Sequence, residues 1–205
     1  GDYIDPQSGH AIMETLLSVI ALILLLGASW VLLLSHHWRW SIVALALQYV
    51  AVFLLVRQVW PLGLSAVKLV AGWMAGAVLT ASRPETGLEE DTTSWATRIF
   101  RTVAALLFWL MAFALAPALK EIFGVSEIFR FGSLALVGMG LLQMGVSTRP
   151  LRIILGLLTT LAGFELLYAA VEDSIMVAGL LAALNLGLAL AGAYFLSLST
   201  PEESA

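Results

Sequence analysis

The chain has 205 residues, of which 60% are hydrophobic and only 12% are charged, and its mean hydropathy is +0.96. A soluble domain is roughly 45–50% apolar and about 25% charged, so this composition points to an integral membrane protein whose surroundings are the lipid bilayer. The net charge of −4 is small and spread over the breaks between apolar runs, which gives no case for nucleic-acid binding, and the lack of cysteine excludes disulfides, thiolate metal sites and iron–sulfur clusters in this chain.

A helix needs about 20 apolar residues to cross a bilayer. Seven runs reach that length: 11–35, 39–59, 62–82, 99–119, 126–147, 151–171 and 174–198. The predicted fold is therefore all-α, a polytopic transmembrane bundle of about seven helices. The first run is too long, and too acidic in front, for a cleavable signal peptide. His36-His37-Trp38-Arg39 separates it from the second. The second and third runs meet tightly at Trp60-Pro61, which leaves six spans with one re-entrant segment as the competing topology. The stretch from Arg83 to Arg98, with Pro84 and the acidic run Glu89-Glu90-Asp91, is the one sizeable break. It divides the chain into an N-terminal three-helix part (1–82), a cytoplasmic linker (83–98) and a C-terminal four-helix part (99–205).

Orientation follows from the positive residues, which concentrate on the cytoplasmic side. Arg39, Arg83, Arg98, Arg101, Arg149 and Arg152 fall on one side, and Arg57, Lys120 and Arg130 on the other. This bias predicts an N-terminus outside and a C-terminus in the cytoplasm, in a cell (inner) membrane. Trp38, Trp40, Trp60 and Trp95 flank runs and suit the interfacial aromatic belt. Gly72 and Gly76 form a GxxxG on the third run, where another helix can approach closely in ordinary packing.

Two charged residues lie well inside spans: Lys68 and Glu165. A carboxylate at that depth is expensive unless it is neutral, paired or functional. Lys68 lies about 9–10 Å from the outer start of the third run, at 1.5 Å per residue. Glu165 lies at nearly the same depth from the outer end of the sixth. Two readings follow. A Lys68–Glu165 pair between these helices would cancel most of the burial cost and be purely structural. Alternatively, the two residues belong to a proton or ion relay, where intramembrane ionisable groups are the usual carriers. Tyr168 and Glu172 fall near the same helical face as Glu165 and could lead protons from the outer surface. Glu172-Asp173 also serves as the polar turn that any hairpin needs. Asn185 on the seventh run and Gln48 on the second lie near mid-depth, where amides act as packing glue or hold a water. Thr159 and Thr160 are expected to bond back to their own helix.

Several chemistries drop out. His10, His36 and His37 fall in termini or loops, so no facing pair suggests haem. The seventh run has no lysine for a retinal Schiff base. No Ser-His-Asp or Cys-His set and no phosphate loop is present. No cofactor or metal is expected, and catalysis by this chain alone is not.

The run Leu161-Ala-Gly-Phe-Glu165-Leu-Leu-Tyr-Ala-Ala170 resembles the Leu-x-Gly-x-Glu stretch on the middle helix of the K subunit of bacterial respiratory complex I. Arg149 and Arg152 are similar to the cytoplasmic arginine pair before that helix. Leu181-Ala-Ala-Leu-Asn185 is similar to a Leu-Ala-Ala-x-Glu stretch on its last helix. This likeness covers about 131–198. The whole chain resembles component E of hydrogenase-4 and formate hydrogenlyase, in length, in helix number and in an early intramembrane lysine, Ser65-Ala-Val-Lys68. The tract Arg152-Ile-Ile-Leu-Gly156 is similar to its Arg-x-Ile-Phe-Gly segment. Two departures stand out. The second family glutamate is Asn185 here, and the spacing from the arginines to Glu165 is about a turn longer than in the K subunit. The resemblance implies a membrane-arm subunit of an ion-translocating redox complex, partnered by other membrane subunits. In that setting Glu165 would carry or gate protons, Lys68 would tune its proton affinity and Asn185 would hold a connecting water. A non-pumping scaffold subunit and a small secondary transporter are the alternatives.

Overall fold

In a computed structural model, each apolar run becomes one helix. The structure describes residues 6–35, 37–82, 94–120, 124–172 and 174–198, with side chains of the first helix from Ile12 onward. The helices are α1 (Pro6–Leu34), α2 (Trp38–Val56), α3 (Leu62–Ala81), α4 (Trp95–Leu115), α5 (Glu127–Gly145), α6 (Pro150–Val171) and α7 (Ile175–Leu198). Among the described residues there is no strand, and all seven helices are long and apolar enough to cross a membrane. Lipid offers no partner to a free backbone group, so a span must satisfy its own N–H and C=O groups, and helices do so. The protein is a multi-pass membrane helix bundle.

The re-entrant alternative fails at Pro61. α2 and α3 are full spans of 19 and 20 residues. Pro61 has no N–H, but it stands just before α3, where helix donors lack partners in any case, and its carbonyl accepts from the Ser65 amide. α4 differs most from expectation, starting and ending four residues early. Trp95 to Arg98, expected at the end of the linker, form its first turn, with the Ser94 carbonyl accepting from Thr97 and Arg98. At its far end Pro117 brings no N–H to continue the ladder, and residues 116–119 form turns. Arg83 and the acidic run Glu89-Glu90-Asp91 lie outside the described residues.

α2 and α6 form the central wall. α2 packs on α1, α3 and α6, while α6 packs on α2, α5 and α7. Because α3 also packs on α7, the helices α2, α3, α7 and α6 close a four-membered ring. α1, α5 and α4 cover the other side of the wall. α5 and α6 are drawn together by small residues. A methyl placed on Gly140 would sit 2.6 Å from the Gly156 carbonyl oxygen, and one on Gly163 would sit 2.9 Å from that of Ser133. Helices in lipid associate through close packing of this kind, since lipid tails are as apolar as leucine. α4 is the outermost helix, with Phe100, Leu106, Leu107, Leu110 and Phe113 exposed to the surroundings.

Two expectations about the periphery are corrected. Trp40 and Trp95 are exposed at helix ends and suit an aromatic belt, but Trp60 is only 3% exposed. The tight turn at Pro61 folds its ring back into the bundle. Arg101, Arg130 and Arg152, counted as loop charges, are buried. Arg130 donates from Nη1 to the Val125 carbonyl and Arg152 from Nη2 to the Ser35 carbonyl.

Candidate functional site

Each helix of the four-membered ring contributes one polar side chain to a common point. Glu165 on α6 has no exposed surface, and Lys68 on α3 is 2% exposed. Lys68 Nζ lies 3.5 Å from Glu165 Oε1, so the pair expected from their depths is present. Asn185 on α7 donates from Nδ2 to the same Oε1 at 2.7 Å. Tyr49 on α2 donates its hydroxyl to Asn185 Oδ1, also at 2.7 Å.

Small residues on the same helical stripes make room for these groups. Glu165 shares its face with Ala162 and Ala169, and Asn185 shares its own with Ala178, Ala189 and Gly192, all buried. Lys68 is flanked by Ser65, Ala71 and Gly72. Gly72 has a specific task. Its missing side chain leaves the seat for the Tyr49 ring, and any Cβ there would run into the ring carbons. The first glycine of the GxxxG thus receives an aromatic ring rather than a helix backbone.

Trp60 closes the end of the site where α2 turns into α3. Its ring centre lies 5.5 Å from Lys68 Nζ, a cation–π arrangement. Its indole N–H donates to the backbone carbonyl of Glu172 at 3.1 Å, which ties the α2–α3 turn to the end of α6.

The remaining expected residues are placed differently. Tyr168 is half-buried, and among the described residues its hydroxyl makes no hydrogen bond. Glu172 is exposed, and only its backbone joins the cluster, through Trp60. Its carboxylate begins two turns, about 10 Å, from Glu165 along the helix. Asn185 touches the carboxylate directly, where the resemblance implied a connecting water. Gln48 is fully buried and its Nε2 reaches the Thr159 hydroxyl at 3.4 Å, about 9 Å from Glu165 along α6. Thr159 therefore serves α2, while Thr160 bonds back to the Gly156 carbonyl as expected.

Tyr49 and Trp60 escaped sequence reasoning. Tyr49 sits in an apolar helix, where an aromatic reads as core, and only the fold aims its hydroxyl at α7. Trp60 stands beside a helix end, the usual place of a belt residue.

Hydrogen bonding at the site is incomplete. Among the described residues, Glu165 Oε2 and Gln48 Oε1 have no partner, and Lys68 Nζ makes an ion pair but no hydrogen bond. Buried polar atoms are nearly always partnered, so these atoms are exceptions in the bundle. Among the described residues no three His, Cys, Asp or Glu side chains gather. The donor set at this point is one carboxylate, one amine, one amide and one phenol. No family model, curated protein or solved structure matches the chain.

Proposed function

We propose that this chain is a membrane subunit of a larger ion-translocating redox assembly, similar to the complex I K subunit and to component E of hydrogenase-4. Within it, Glu165 gains and loses a proton. The observation that carries this reading is the asymmetry of its carboxylate. Oε1 holds both Lys68 and Asn185, while Oε2, equally enclosed, has no partner among the described residues. A carboxylate kept only for structure gains by satisfying both oxygens. One with a free oxygen can accept a proton there.

The charge balance then sets a one-in, one-out rule. With Glu165 ionised and Lys68 protonated, the pair is neutral. A proton arriving on Oε2 leaves the Lys68 ammonium uncompensated in a low-dielectric interior, against the Trp60 ring. Such a charge is costly, so Lys68 releases a proton in turn. Uptake at Glu165 is thereby coupled to release at Lys68. The Tyr49–Asn185 arm fixes Oε1 and leaves Oε2 as the reactive oxygen. An amide passes protons poorly, so Asn185 orients the carboxylate rather than conducting. Partner subunits supply the redox chemistry, and the bias of loop charges supports an N-terminus outside an inner membrane.

The transporter alternative lacks support, since small transporters bind substrate at helices broken near the midplane and α3, α6 and α7 run unbroken past the site. The static-pair alternative is separated by experiment. In the native assembly, Glu165→Gln keeps size and hydrogen bonding but cannot cycle a proton. The complex should assemble, and protons translocated per electron should fall sharply. An unchanged ratio in a normally assembled mutant would leave Glu165 as a scaffold charge.

A further inference from the structure

A second set of unpartnered donors lies on the other side of the central wall. Arg101 on α4 is 6% exposed, and among the described residues neither its Nε nor its Nη1 has a hydrogen-bond partner. Across from it on α5, Gln143 is 3% exposed and its Nε2 is also unpartnered. The two share one end of the bundle. α4 and α5 cross where Phe108 meets Gly138. From that crossing Arg101 lies about 10 Å back along α4, and Gln143 about 7 Å onward along antiparallel α5. Ala105, Leu142, Met139 and Leu33 form a small apolar cluster of their own, on the stretch between that crossing and the two donors.

A guanidinium buried without an acid is costly, and such groups persist where something answers them. What could answer is narrowed by the surroundings. Both side chains offer N–H donors, so the ligand brings acceptors, and the unbalanced positive charge calls for an anion. The adjoining face of α4 is apolar and exposed at Phe100, Val103 and Leu107. Exposed Arg98 lies one turn before Arg101, and exposed Trp95 marks the start of the helix, about 9 Å away. An anion with acyl chains fits this combination of a charged pocket near a helix end and an apolar wall below it. Basic pockets between membrane helices bind acidic headgroups in this way.

We propose that Arg101, with Gln143 and Arg98, binds the phosphate of an acidic membrane lipid whose chains lie along Phe100, Val103 and Leu107. The site is independent of Glu165 and of any role assigned to it.

The test uses the purified full chain in mild detergent, titrated separately with phosphatidylglycerol, phosphatidylcholine and inorganic phosphate. Melting temperature and the lipids retained in native mass spectrometry are read. Phosphatidylglycerol should raise the melting temperature by several degrees and remain bound, while phosphatidylcholine does neither. Arg101→Met should need at least about tenfold more phosphatidylglycerol for half-saturation. Its lipid-free form should melt no lower than wild type, because an unpaired buried cation has gone. Equal retention of phosphatidylcholine, or wild-type retention of phosphatidylglycerol by Arg101→Met, overturns the proposal. So does a full shift from inorganic phosphate alone, or a co-purifying acidic protein that occupies Arg101 in place of lipid. Should Arg101→Met fail to fold, Gln143→Leu replaces it, with weakened phosphatidylglycerol retention expected and unchanged retention fatal.

Discussion

Lys68 and Glu165 stabilise the bundle only while each has the other. Removing one partner of a buried pair leaves an uncompensated charge and typically costs about 3–5 kcal/mol, whereas removing both can be near neutral. Glu165→Gln and Lys68→Met should therefore each lower the melting temperature in detergent, and the double mutant should recover much of the loss. Strictly additive losses would mean that the 3.5 Å contact carries no coupling. The Tyr49 hydroxyl offers a second test. Tyr49→Phe keeps the ring on Gly72 but strands the Asn185 carbonyl, at a cost of about 1–3 kcal/mol. Asn185→Asp, which as the acid can still donate to Glu165 and accept from Tyr49, should be tolerated better than Asn185→Leu. A melting series across the three variants decides both points. Lys68 and Glu165 were legible in the sequence because a charge inside an apolar run is rare and expensive. Tyr49 and Trp60 were not, because an aromatic in or beside such a run has a bland explanation. Their polar atoms gain meaning only from contacts between α2 and α7 and between α2 and the end of α6.

Helix-to-helix contact here depends on which small residues face which neighbours. Gly72→Ala should displace the Tyr49 ring, loosen Asn185 and destabilise the protein by about 1–3 kcal/mol, the usual range for overpacking. Gly140→Ala should cost at least as much, because a methyl there meets the Gly156 carbonyl and the Thr160 backbone, which cannot swing aside. Gly63→Ala is the control, since nothing lies within 4 Å of the added methyl. Thermal unfolding of the three variants in one detergent should put Gly140→Ala lowest or level with Gly72→Ala, and Gly63→Ala close to wild type. A Gly72→Ala protein as stable as the control would remove Tyr49 from the site. The spans themselves were legible because bilayer thickness fixes their length and lipid forbids open backbone. Their ends were less so. The start of α4 falls within the expected linker 83–98, yet polar residues such as Thr97 and Arg98 fit a helix wherever it emerges at an interface. Which helices would pack together was not legible, because all the spans are strongly apolar and small residues recur on every one of them.

For the molecule as a whole, an odd number of spans places the start of α1 and the end of α7 on opposite sides, and the direction decides what the site faces. Trp60 and Lys68 lie toward the end that carries the α2–α3 turn and the end of α6. In the orientation given by the loop arginines, that end is outside the cell, so a proton released from Lys68 would leave outward past Trp60. Three of the counted arginines are buried, Arg101 and Arg152 on one side and Arg130 on the other, so the two-to-one bias rests on fewer exposed charges and a direct measurement decides it. The chain has no cysteine, so single cysteines can be introduced without background. Arg57 and Glu172 are exposed at the Trp60 end, and Ser94 is exposed just before α4 at the other. In intact cells, a membrane-impermeant maleimide should label Arg57→Cys and Glu172→Cys at once, and Ser94→Cys and Glu90→Cys only after permeabilisation. The opposite pattern would turn the bundle over, so that Lys68 discharges toward the cytoplasm and the lipid site at Arg101 faces the outer leaflet. Labelling of Arg57→Cys and Ser94→Cys from the same side would be more serious, because it would break the alternation of spans. α3 alone separates those two positions, and it carries Lys68. If α3 did not cross, the four-helix ring could not close around Glu165, and the one-in, one-out exchange would lose its second partner.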